Sequence, residues 1–166
     1  MRRVIVNSTP LIALSNIGKT DLLQQLYHEI YIPQAVYNEV SEKNDDAGKI
    51  LEKSLNWIKV IKIKHPENYA MYKAKLHAGE VEVMILAQEN PKADLLIIDD
   101  NAAKKTAKFL GLKVTGTMGV LLKAKQSGII SNVAPLLEAL KNNGFYISDS
   151  IVEMVLKQAG ESLEKL

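Results

Sequence analysis

One stretch constrains this chain more than any other: residues 93 to 119, ADLLIIDDNAAKKTAKFLGLKVTGTMG. It opens on an apolar run, Leu95, Leu96, Ile97 and Ile98, that is too short for a free-standing helix. Such a run reads as a strand buried on both faces of a parallel sheet. The run stops at two carboxylates, Asp99 and Asp100. Ala102, Ala103, Thr106, Ala107 and Leu110 then recur at helical spacing, and Gly111 supplies the stop. A second apolar strand, Leu112 to Thr115, ends in Gly116-Thr117. This is a βαβ unit, and ligands of open α/β sheets sit beyond the carboxyl ends of the strands. Asp99 and Asp100 stand at such an end and mark a candidate site. Asp-Asp-Asn at a helix start is also good capping chemistry, because a side-chain oxygen there accepts orphan N–H groups. Capping needs only one of the two acids.

The chain has 166 residues, enough for one domain with a substantial core. It has no cysteine, which excludes a disulfide scaffold, a thiolate metal site and a thiol nucleophile. No apolar run approaches the roughly 18 residues of a membrane span, and no secretory signal pattern opens the chain. A soluble cytoplasmic protein without a membrane partner is the expectation. The net charge is only +2, but its distribution is uneven: Asn101 to Leu137 contains no Asp or Glu and holds Lys104, Lys105, Lys108, Lys113, Lys123 and Lys125. A basic segment directly behind two acids suits a polyanion held near a cation site, and it equally suits solvated helix faces.

Taken in order, Arg2 to Val6 reads as a first strand. Ser8 or Thr9 is then a natural N-cap, with Pro10 at the first helical position. A short helix follows from about Thr20 to Tyr27, then a strand from Glu29 to Ile32, and Pro33 starts a helix bearing Val36, Glu39 and Val40. Ser41 to Gly48 reads as a loop or helix-entry turn, Trp57 to Ile63 as a strand near an edge, and Pro66 to Leu76 as helical. A well-patterned helix runs from Glu80 to near Asn90. Beyond the central unit, helices are expected over Met118 to Gln126 and Val133 to Asn142, with a short extended piece from Phe145 to Ile147. Ser150-x-x-Glu153 reads as a capping box opening a last helix. The division expected is residues 1–147 as the main domain and 148–166 as a C-terminal helix packed on that domain or on a partner.

This order of elements predicts an α/β protein, a three-layer α/β/α sandwich with a central, mostly parallel sheet. On that scaffold Asn7 lies just past the first strand, Asp99 and Asp100 just past a later one, Glu80 at a helix start and Glu39 on a helix after another strand. Oxygen ligands converging on one edge are what Mg²⁺ or Mn²⁺ demands. Each member also has a plainer role: Asn7 as a cap, Glu80 as a helix-start charge, Glu39 as a solvated residue. His28, His65 and His77 share no metal-ligand spacing. A phosphotransfer receiver also places Asp pairs at strand ends, but here the first strand ends in Asn.

The opening strand followed by Asn7-Ser8-Thr9-Pro10-Leu11-Ile12 resembles the start of PIN-domain proteins, which have an Asp at the position of Asn7. Ile32-Pro33, Val36 and Glu39-Val40 resemble the segment of that family that carries a helix glutamate. Gly79-Glu80 with its helix, Leu-Ile-Ile-Asp99-Asp100 with its alanines, and Gly-Leu-x-Val-x-Gly116-Thr117 are similar to a prokaryotic PIN-like branch related to the VapC-type toxins. The match covers roughly residues 3 to 147. The resemblance implies a Mg²⁺- or Mn²⁺-dependent ribonuclease, often paired with a small antitoxin and often a homodimer. It implies catalytic roles for Asn7, Glu39, Glu80 and Asp99, and metal ligation by Asn7, Glu80, Asp99 and Asp100. Ser8 would support the metal site, Lys104 and Lys105 would grip RNA phosphates, and Thr117 falls on the substrate side. The amide at position 7 removes one negative charge, so the second expectation is a degenerate domain that binds RNA or a protein partner without cleavage.

Overall fold

The computed structural model describes residues 3–43, 45–71, 76–90 and 93–162. Arg3–Val6 forms β1, followed by α1 (Ser8–Asn16), α2 (Asp21–Tyr27), β2 (Ile30–Pro33), α3 (Gln34–Lys43), α4 (Asp45–Lys53) and β3 (Ile58–Ile61). A 3₁₀ segment, Pro66–Met71, leads towards α5 (Ala78–Glu89) and β4 (Ala93–Ile97). Then come α6 (Asn101–Phe109), β5 (Val114–Thr115), α7 (Thr117–Gln126), α8 (Ala134–Asn142) and α9 (Asp149–Ala159).

The strands lie in the order β3-β2-β1-β4-β5, every neighbouring pair parallel. Helices flank the sheet, so the expected α/β sandwich is what the chain forms. Val4, Ile5 and Val6 of β1 and Leu96 and Ile97 of β4 are buried, which is why both runs read as apolar without alternation. Each such side chain contributes about 1.5–3 kcal/mol relative to exposure. Val6 is in register with Ile97, and the Asn7 N–H continues the ladder to the Ile97 carbonyl at 3.0 Å. The chain winds outward from β1 to β2 and β3, then returns to β4 on the other side of β1. The point where the order reverses lies between the carboxyl ends of β1 and β4, the place where open α/β sheets hold their ligands. Among the described residues no helix is long and apolar enough to cross a membrane.

Several local expectations are corrected. Residue 7, not Ser8 or Thr9, is the N-cap of α1, and Pro10 stands third in the helix. A first-turn N–H has no intrahelical acceptor, so proline is tolerated there as well. The described residues of Ser41 to Gly48 are helical rather than a loop: α3 continues to Lys43 and α4 begins at Asp45, its Ala47 and Leu51 buried. Pro66–Met71 is a 3₁₀ segment that buries no side chain, and residues 72–75 of the helix expected there lie outside the described ones. α5 starts at Ala78, two residues before Glu80. Phe145 to Ile147 joins no strand among the described residues, and the extended piece expected there required none. Ser148 rather than Ser150 caps α9, its Oγ accepting from the Ile151 N–H at 3.3 Å. α9 packs on α7 and buries Val152, Val155 and Leu156.

Candidate active site

At the carboxyl end of β1, Asn7 is 4 % exposed and makes no capping bond with its side chain. Its Oδ1 lies 3.5 Å from the Ser8 Oγ, which donates to Glu39 Oε2 at 2.6 Å. Glu39 comes from α3, so a single hydroxyl joins the first turn of α1 to the helix after β2. Both oxygens face Gly79 in the first turn of α5. A Cβ there would stand 3.2 Å from Glu39 Oε2 and 3.3 Å from Asn7 Oδ1. The missing side chain leaves a small hollow floored by glycine and rimmed by one amide oxygen and one carboxylate oxygen.

Glu80, the next residue, is 7 % exposed and accepts the His77 N–H at Oε1 at 2.9 Å. That bond satisfies an orphan donor just before α5 and fixes the carboxylate. Burial pushes the Glu80 carboxyl above the ordinary glutamate range, and the charges of Asp100 and Glu39 push it the same way against the His77 hydrogen bond. The site therefore gathers three negative side chains, Glu39, Glu80 and Asp100, around the neutral Asn7.

The two aspartates after β4 divide their labour. Asp100 caps α6, its Oδ2 accepting from the Ala103 N–H at 2.9 Å. Asp99 turns towards α7: its Oδ1 accepts the Thr117 N–H at 2.7 Å and its Oδ2 the Thr117 hydroxyl at 2.6 Å. Gly116 makes this approach possible, since a Cβ there would lie 2.7 Å from Asp99 Oδ1 and 2.9 Å from the Lys104 ammonium. Lys104 is thus half-buried beside Asp99, whereas Lys105 is exposed on α6. Thr117 is fully buried and serves as the partner of Asp99.

A divalent cation of the Mg²⁺ or Mn²⁺ kind can be tested against these donors. They are oxygens throughout, the ligand chemistry of hard cations, and the hollow over Gly79 is the space a Cβ would otherwise fill. Among the described residues no group of three or more His, Asp or Glu side chains is gathered tightly enough to hold an ion by itself. Each acid is instead held by an internal donor: Ser8 on Glu39, His77 on Glu80, Thr117 on Asp99 and Ala103 on Asp100. By chemistry alone, oxygen donors of this kind are those of a hard cation that keeps several waters and takes a few protein oxygens. Sequence reading named the oxygens as site atoms, but gave Gly79 and Gly116 only as parts of motifs and His77 only as a histidine without ligand spacing. The first two announce themselves only as glycines beside acidic or strand-end residues.

A family model described as a PIN domain matches residues 3–161 of the chain. No curated protein matches it.

Proposed function

The chain belongs to the PIN-domain family, and from that premise we propose that it is a metal-dependent ribonuclease hydrolysing RNA phosphodiesters. The observation that supports this reading best is the convergence of Asn7 Oδ1 and Glu39 Oε2 over Gly79, with Glu80 and Asp100 charged nearby, at the β1/β4 switch point. Asn7, Glu39, Glu80 and Asp100 would hold the ion. Asp99 can join them, because each carboxylate oxygen keeps a further lone pair after bonding Thr117. A Mg²⁺ or Mn²⁺ ion bound there supplies charge stabilisation to the phosphodiester and a water of lowered pKa.

The chain's own residues prepare the rest. Ser8 holds Glu39 towards the hollow, and the His77 N–H holds Glu80. Glu80 is poorly solvated and repelled by its neighbours, so its charge is strongly complemented by a cation. Lys105, on the exposed side of α6, would take a flanking phosphate, and Lys104 stands with Asp99 at Gly116. On the sequence resemblance alone, the same reading takes a small antitoxin as partner and a homodimer as the assembly.

One observation favours a second reading. The residue at position 7 is an amide, and it is its neutral oxygen that faces the hollow. A site short of one charge suits a domain that binds RNA or a protein partner without cutting it.

The test is cleavage of a labelled RNA with Mn²⁺ or Mg²⁺, with EDTA and with Glu80→Gln as controls. Metal-dependent cleavage that EDTA stops and Glu80→Gln reduces by about 100-fold supports the nuclease. The glutamine relieves a buried, repelled charge, so this variant should melt no lower than the wild type, and lost activity cannot be put down to unfolding. A wild type that neither cleaves RNA nor binds Mn²⁺ overturns the reading.

A further inference from the structure

The helix that opens at Asp100 carries an outer row of which the acidic site draws on Lys105 alone. Asn101, Lys105, Lys108 and Phe109 are all exposed and stand at i, i+4, i+7 and i+8, which is one face of a helix. The opposite face buries Ala103 and Ala107 against the fold. Phe109 is 89 % exposed, the highest figure for any large apolar side chain among the described residues. Folding gains almost nothing from a phenyl ring left in water at the last turn of a helix. Among the described residues neither Lys105 nor Lys108 forms an ion pair. The exposed Lys113 follows just beyond the turn, and no carboxylate occurs between Asn101 and Leu137. The row runs roughly 12 Å along the helix axis from Asn101 to Phe109, starting beside the acidic residues.

We propose that this face of α6 is a track for single-stranded RNA, with Lys105 and Lys108 on backbone phosphates and Phe109 stacked on an unpaired base. Cations that follow a backbone and an aromatic ring that takes a base are the two parts of a single-strand site. A duplex keeps its base faces covered and offers Phe109 no stack. A second copy of the same face would bring like-charged lysines together, which opposes self-association through it. The choice of RNA as occupant rests on the nuclease reading of the neighbouring site.

The experiment measures binding of a fluorescein-labelled oligoadenylate by anisotropy, in EDTA so that nothing is cut, over a range of salt concentrations. Lys108→Ala and Lys105→Ala each remove one phosphate contact, so each should lower the steepness of log Kd against log salt by about 0.7. Phe109→Ala removes a stack and no charge. It should weaken binding about ten-fold and leave the salt slope unchanged. An abasic oligomer of the same length should bind both proteins equally. Because Phe109 is exposed, its loss leaves the fold intact. Wild-type affinity in Phe109→Ala, or an equal loss with the abasic oligomer, overturns the track while leaving the nuclease reading standing. A Phe109→Ala protein that dissociates from dimer to monomer in sedimentation, with unchanged RNA affinity, also overturns it in favour of a second copy. A wild type that binds no oligoadenylate overturns the track, and only a parallel absence of both Mn²⁺ binding and Mn²⁺-dependent cleavage overturns the nuclease with it.

Discussion

Thr117 occupies both carboxylate oxygens of Asp99, its backbone N–H on Oδ1 at 2.7 Å and its hydroxyl on Oδ2 at 2.6 Å. The pair ties the end of β4 to the first turn of α7 across 18 residues of chain. A carboxylate at a helix N-terminus also meets the positive end of the helix dipole.

This clip predicts a stability effect at a residue that sequence alone marks as catalytic. In Asp99→Asn both bonds to Thr117 lose their charged acceptor, and the loss should be about 1–3 kcal/mol. Thr117→Val keeps the shape of a fully buried residue and removes only the hydroxyl bond, so it should cost about 1–2 kcal/mol, while Thr117→Ser should stay near wild type. Urea unfolding of the three variants checks the order. An Asp99→Asn protein as stable as wild type would remove the structural role.

How much of this was legible in the sequence follows from distance along the chain. The capping oxygen of Asp100 acts three residues ahead, at Ala103, and local chemistry announces it. The partner of Asp99 is reached only through α6 and β5, so Thr117 could be placed near the site but not on the carboxylate. The same holds for Ser8 and Glu39, 31 positions apart and joined by one hydroxyl. Apolar runs were readable as strands because burial on both faces removes alternation, as in β1 and β4. α4 escaped because its apolar residues are sparse among charges, and only packing shows that Ala47 and Leu51 are inside.

Asn7 sets a second prediction. Asn7→Asp places a fourth negative charge beside Glu39, Glu80 and Asp100, on an oxygen that already faces the Gly79 hollow. Without metal the variant should melt below wild type through like-charge repulsion. With Mn²⁺ it should recover and exceed it, because ligand charge count sets hard-cation affinity, here by on the order of ten-fold in Kd. Calorimetric Mn²⁺ titration alongside thermal melts checks both halves. A variant that loses stability and gains no Mn²⁺ affinity would show that residue 7 is not a ligand.

Glu161 sets the third, far from the site. Its buried carboxylate accepts the Val133 and Ala134 N–H groups at 2.7 and 3.0 Å and meets the Lys125 ammonium at 2.9 Å, fastening the second residue after α9 to the start of α8 and to α7. Burial acts to raise this carboxyl, but the Val133, Lys125 and Ala134 hydrogen bonds together with the Lys125 charge outweigh it and hold the group below the ordinary glutamate value of 4.5. A carboxyl depressed on folding binds its proton more readily in the unfolded chain, so its stabilisation is complete above about pH 4.5 and fades as pH falls through the lower folded value. Glu161→Gln keeps the shape and loses the charge, and at neutral pH it should cost about 1–3 kcal/mol, or roughly 2–4 °C in Tm for each kcal/mol. The gap between wild type and variant should close as the melts are repeated below pH 4.5, because protonation brings the wild type to the same neutral state. A gap that stays constant with pH would mean that packing around Glu161, not its charge, holds α9 to the domain.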